Sequence, residues 1–223
     1  MFRASFSILP MISVRLLTAV LAISMLALAR GRAEEPSPNA ADKVEVVVSV
    51  AEQKLALIRN GGIVRMYPVS TSRFGIGDAY GTYRTPLGRM RVCDKIGDGL
   101  AAGTVIRHRT PTKEVIPPNA PGRDPIVSRI LWLDGLEARN RNAYSRCVYI
   151  HGTPDEKRLG KPASYGCIRM RSADVIELYA AIPVGTEVSI IKDRLPAGGR
   201  SWLEMLASAA SPSGPPRLAR IRL

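Results

Sequence analysis

At 223 residues and 46% hydrophobic content, the chain is long enough for one well-buried domain plus appendages, and its composition is ordinary for a globular protein. A formal charge of +13 calls for an acidic neighbour, yet there is no recognition motif and no dense Lys/Arg helix, which sets nucleic acid aside as a partner. Two histidines, no CxxC and no HExxH leave a zinc site without ligands or spacing, so neither a metal nor a cofactor is expected.

In chain order, residues 1–33 have the three parts of a signal peptide. Arg3 and Arg15 precede the apolar run Leu16 to Ala29, and Gly31-Arg32-Ala33 offers small residues for cleavage. That run of about 14 residues falls short of the ~20 needed to span a bilayer. The expectation is export to the periplasm or cell envelope, with no stable membrane span after cleavage. Without the leader's four arginines the chain is still basic, which fits an anionic envelope of peptide carboxylates and acidic lipids. Residues 34–43 are Pro-rich and polar and read as a linker.

The folded part begins at Val44. In VEVVVSV, Val44, Val46, Val48 and Val50 share one face of a strand, and Asn60-Gly61 between LALIR and IVRMYPV is a hairpin signal. Ser70 to Gly81 reads as a loop, Gly88 to Cys93 as a strand and Ile96 to Gly103 as a Gly-rich connection. Thr110 to Pro125 holds five prolines, which argues against a helix or a central strand; it is either a lid over a cleft or a surface excursion. Ile126 to Leu136 and Cys147 to His151 read as strands joined by a polar, hairpin-like segment.

Ser172 is suited to cap a helix bearing Val175, Ile176, Leu178 and Tyr179 on its apolar face, and GTEVSII reads as a last strand. Residues 193–223 read as a basic tail, with a short helix over Trp202 to Ala210. The tally predicts an all-β fold, a sandwich or partly open barrel with one main helix beside the site.

The chemistry concentrates in HGTPDEKRLGKPASYGCIRM, from His151 to Met170. Cys167 is placed in a small-residue turn just before the helix, where main-chain N–H groups and the helix N-terminus favour a thiolate. His151, at the end of the apolar run CVYI, is the base of a Cys–His pair. His108 lies between Arg107 and Arg109 and reads as a surface residue. In an oxidising compartment three cysteines leave one odd thiol; Cys93 and Cys147 either pair with each other or are buried as small hydrophobes.

HGT, PASYGCIRM, D-x-x-x-L-Y and GTEVSI, preceded in order by QKLALIRNGG, YPVSTS, RTPLGRMRV and RILWLDGLE, resemble the catalytic domain of the L,D-transpeptidases from Val44 to Lys192. Many members carry a second histidine where this chain has Tyr165. The resemblance implies acyl transfer on peptidoglycan stem peptides, with Cys167 as nucleophile and His151 as base. Main-chain N–H groups of Tyr165, Gly166 and Cys167 are candidates for an oxyanion hole. Arg169 either holds a peptide carboxylate or braces the loop, and Ser164 either satisfies the turn's main chain or touches substrate. A carboxypeptidase or endopeptidase would use the same residues with water as acceptor. A non-catalytic protein that binds peptidoglycan through the same fold is a third reading.

Overall fold

Alternation of apolar residues sets the sheet from its first strand. The computed structural model describes residues 43–195; the leader, most of the linker, the tail beyond Leu195 and the helix expected over Trp202 to Ala210 lie outside them. In β1 (Val44–Ser49), Val46 and Val48 enter the main core, while Val47 packs on the opposite face with Ala56 and Ile58. The strand is therefore buried on both sides. The chain then turns into β2 (Lys54–Arg59) and crosses to β3 (Gly62–Pro68). Asn60 and Gly61 both have positive φ, at 52° and 81°, the conformation of a two-residue hairpin turn.

The remaining strands are β4 (Gly88–Ile96), β5 (Thr104–Arg107), β6 (Thr110–Val115), β7 (Val127–Gly135), β8 (Tyr149–Gly152), β9 (Ile168–Met170) and β10 (Glu187–Ile191), with α1 (Ser172–Ala181) between the last two. They form one open mixed sheet in the order β3-β2-β1-β10-β4-β7-β5-β6, with β8 added to β7 and β9 to β8. The pairs β1–β10 and β8–β9 are parallel. The protein is thus mostly β with a single α-helix among the described residues. Val175, Leu178 and Tyr179 of α1 join Leu131, Leu133, Ile150, Ile168 and Met170 in the main core, where the helix lies against β7 and β8. No helix among the described residues is long and apolar enough to cross a membrane.

Three local expectations change, while His108 lies at the surface as read. Part of the Pro-rich segment is a regular strand: β6 carries Pro111 at the end of the sheet, where a missing N–H is tolerated. His108 and Arg109, with φ of 51° and 66°, form the turn of the β5–β6 hairpin. Strand β8 starts at Tyr149 rather than Cys147, because Cys147 has φ of 57° and interrupts extended backbone. Finally, Ser172 is the first helical residue, not the cap: Arg171 occupies the cap position, and the Ser172 N–H donates to Glu156 Oε1 at 3.0 Å. A carboxylate at this end also complements the helix dipole. At the other end, Lys95 Nζ donates to the carbonyls of Tyr179 and Ile182 at 2.7 and 2.8 Å.

Candidate active site

The parallel pair β8–β9 positions the site. Its register sets Ile150 opposite Ile168 and His151 opposite Arg169. Because side chains alternate, Ile150, Ile168 and Met170 point into the main core, and Tyr149, His151 and Arg169 to the other face. Cys167 stands two positions before Arg169 and packs against the Tyr149 and Ile106 cluster on that same face. His151 and Cys167 are therefore two residues out of register on one side of one strand pair.

The turn before Cys167 is tied down from within. Ser164, fully buried, donates its hydroxyl to the Cys167 carbonyl at 2.6 Å and accepts from the Gly166 N–H at 3.2 Å. It thus satisfies the turn's main chain, one of its two expected roles. The Gly166 N–H, one of the three candidate oxyanion donors, is thus already engaged within the turn. Gly166 has φ of 119°, and a Cβ there would come within 3.3 Å of the Arg84 carbonyl oxygen. Both the backbone and the crowding require glycine.

Cys167 is not at the helix N-terminus. Strand β9 intervenes, and α1 begins five residues later at Ser172. Burial pushes the Cys167 thiol up to about 11; a hydrogen bond with the Tyr149 main chain and the charges of Arg169 and Arg146 oppose it only in part. Its Sγ donates to the Cys147 carbonyl at 3.4 Å. Burial also pulls His151 down to about 4, against the Gly152 hydrogen bond and the charge of Asp124. His151 Nδ1 lies 2.8 Å from the Gly152 carbonyl oxygen. A carbonyl only accepts, so Nδ1 carries the proton and Nε2 the lone pair. Burial thus disfavours both the thiolate and the imidazolium, working against the thiolate that the sequence reading drew from the turn.

Arg169 braces the loop: its Nη1 lies 2.7 Å from Asp124 Oδ2, and Asp124 Oδ1 accepts from the Thr153 hydroxyl. The Pro-rich segment thus packs onto the site through Asp124, a residue the sequence did not single out. Arg146 was also missed. It pairs with Asp78 at 3.1 Å, with side chains only 7% and 9% exposed, and donates to the carbonyls of Gly77 and Arg84. No local pattern marks either pair, because partners so distant in sequence leave no periodic signal. Tyr165 is half-exposed, and its hydroxyl accepts from Arg73.

His108 is exposed at the β5–β6 turn. Beside it, Arg109 reaches the Cys147 sulfur at 3.9 Å and lies 5.0 Å from the Trp132 ring centre. All three cysteines are free; Cys93 donates to the Trp132 carbonyl at 3.3 Å, so the two do not form the bridge considered for Cys93 and Cys147. A cavity of about 510 Å³ lined by Leu87, Arg89, Glu137, Arg139 and residues 189–193 contains none of these groups.

The L,D-transpeptidase catalytic-domain model, of the YkuD type, matches residues 43–190. YqjB of Bacillus subtilis (strain 168), named as an L,D-transpeptidase, is 32% identical over 148 residues, covering 66% of this chain and 71% of that protein. YcfS of Escherichia coli (strain K12), similarly named, is 31% identical over 150 residues, covering 66% of this chain and 43% of the relative. An L,D-transpeptidase structure from Mycobacterium smegmatis aligns with a TM-score of 0.45 and 15% identity, covering 68% of this chain and 59% of that one. With the family model matched across the whole sheet that carries His151 and Cys167, the chain belongs to the L,D-transpeptidase catalytic-domain family.

Proposed function

We propose that this protein is an exported peptidoglycan L,D-transpeptidase that works through a Cys167 acyl-enzyme. The observation that carries this reading is the placement of Cys167 and His151 on one face of β8–β9, with His151 Nδ1–H held by the Gly152 carbonyl. That tautomer leaves Nε2 able to accept a proton. Because burial disfavours both ions, thiolate formation is coupled to attack: Nε2 takes the thiol proton as Sγ bonds to the carbonyl that follows an L-centre. The carbonyl electrons move to oxygen, where main-chain N–H groups of Tyr165 and Cys167 stabilise the charge by about 3 kcal/mol per preorganised donor. Collapse breaks the C–N bond, and the departing D-amino acid takes the proton from His151.

The resulting thioester is attacked by an amine of a second stem peptide. His151 accepts the amine proton and returns a proton to the leaving Cys167 sulfur, so the enzyme is regenerated unchanged. Neither half-reaction calls for a metal or cofactor. The basic surface suits the anionic envelope to which the leader would direct the chain. Incubating the purified protein with disaccharide-tetrapeptide and weighing the products tests the proposal. Cross-linked dimer supports it, tripeptide alone makes the enzyme a carboxypeptidase, and unchanged substrate leaves a binding protein.

A further inference from the structure

We propose that Arg73, held against the rings of Tyr165 and Phe74, is a carboxylate-binding subsite that selects stem peptides ending in a free α-carboxylate. This inference rests on the acyl-transfer reading above and assigns a specificity residue to it. The cation expected for a peptide carboxylate was Arg169, but Arg169 is paired with Asp124 and Arg146 with Asp78. Arg73 meets two rings and a phenol, with no carboxylate partner among the described residues.

The position of Arg73 is built into the site. Its main-chain N–H donates to the Ser164 carbonyl at 3.1 Å, which docks it on the turn that carries Cys167. Its guanidinium carbon lies 4.3 Å from the Tyr165 ring centre and 5.0 Å from that of Phe74. One Nη donates to the Tyr165 hydroxyl. Apart from that bond, the guanidinium makes no other hydrogen bond to the described residues, so its remaining in-plane N–H groups are available for a carboxylate fork. Tyr165, the residue that departs from the family pattern, thus fixes the cation.

Tyr83 completes the surface, with ring centres 5.8 Å from Tyr165 and 6.1 Å from Phe74. Phe74, Tyr83 and Tyr165 are 43%, 56% and 51% exposed, an apolar patch of rigid side chains beside the nucleophile turn. It is preorganised from below. Buried Ser72 accepts from the Phe74 N–H at 3.0 Å and donates to the Tyr83 carbonyl at 2.5 Å, while buried Thr85 joins the Ser72 N–H to the Gly166 carbonyl. Tyr83 is held at φ of 56°, a conformation a bulky residue adopts only when its surroundings impose it. Charge supplies the choice of ligand: an unpaired cation over aromatic faces, beside an acyl-forming thiol, matches a peptide that ends in carboxylate.

The test uses full-length protein carrying Cys167→Ala, so that binding is read without turnover. Disaccharide-tetrapeptide and its C-terminal carboxamide are titrated by calorimetry. The free acid is expected to bind roughly tenfold or more tightly than the amide, and Arg73→Gln to abolish that preference with amide affinity unchanged. Arg73→Lys, which keeps charge but not the planar fork, should restore part of it. Equal melting temperatures establish that the variants fold. The proposal is overturned if the parent shows no preference, if Arg73→Gln keeps it or weakens both peptides alike, or if the disaccharide alone displaces the tetrapeptide. Failure of the acyl-transfer reading shows separately, as absence of thioester when the Cys167 protein meets the same tetrapeptide.

Discussion

The Cys167 thiol donates its hydrogen bond to the Cys147 carbonyl, 3.4 Å away, while His151 uses Nδ1 on the Gly152 carbonyl. The two groups proposed to exchange a proton are therefore each held by main chain on the same face of β8–β9. Cys147 can present its carbonyl there because its φ of 57° turns the chain just before β8 begins.

Removing either group should affect the chemistry but not the fold. Cys167→Ala is expected to abolish product formation, since Ala fits a turn whose tight contact is at Gly166. His151→Ala should slow acylation by about 10²–10⁴-fold, the usual contribution of a general base. His108→Ala, at an exposed hairpin turn, should match the parent rate. Acylation followed by intact mass against time checks all three, and a normal rate in His151→Ala would move the base elsewhere.

Burial of the pair sets two pH dependences. An unfolded histidine takes up its proton near 6.5 but His151 only near 4, so the unfolded chain binds more protons between these values. Stability should therefore fall as pH drops from about 6.5 to about 4, by up to about 3 kcal/mol, and His151→Gln should remove that component. Cys167 acts at the other end: its thiol ionises near 11 folded against 9 unfolded, so stability is lost as pH rises across that range. Urea titrations across the pH range measure both. In the native protein, iodoacetamide should label Cys167 slowly at neutral pH and faster as pH rises toward 11; rapid labelling at neutral pH would indicate a resting thiolate.

Arg146 and Asp78 should behave as a unit. Asp78→Ala leaves a buried guanidinium with main-chain carbonyls but no counter-charge and is expected to cost about 3 kcal/mol by urea unfolding. Replacing both residues should cost less than the sum of the single changes. Strict additivity would show that the pair is not coupled.

Alkylation of the denatured, unreduced protein over residues 43–195 should modify Cys93, Cys147 and Cys167 alike, because Cys93 bonds to the Trp132 carbonyl and Cys147 lies against Arg109. One modified cysteine would restore the Cys93–Cys147 bridge.

Local signals in the sequence were sufficient wherever the physics is local. Asn60-Gly61 makes its turn because those two residues tolerate positive φ, and the valines of β1 alternate because strand geometry has a period of two. The Gly-Cys turn and the strand ending in His151 were legible for the same reason, as was the site of the helix that follows. Strand β9 was not: three residues between Cys167 and the helix carry too short a pattern, and only pairing with β8 makes them extended. The same holds for β6, where Pro111 is accommodated because the strand lies at the end of the sheet.

Charge state and ion pairing were decided by tertiary structure alone. Whether Cys167 is a thiol or a thiolate depends on how many atoms exclude water from it, and those atoms come from β5, β7 and β8 rather than from its own turn. Whether Arg169 and Arg73 can hold a substrate depends on which of them already has a carboxylate. Asp124 comes to Arg169 from the segment before β7 and Asp78 to Arg146 from the loop before β4, brought there by a sheet order that departs from chain order. The sequence by itself determined the Gly-Cys turn and which candidate residues flank it; long-range packing determined their burial and their partners, because desolvation and Coulomb attraction act through space rather than along the chain.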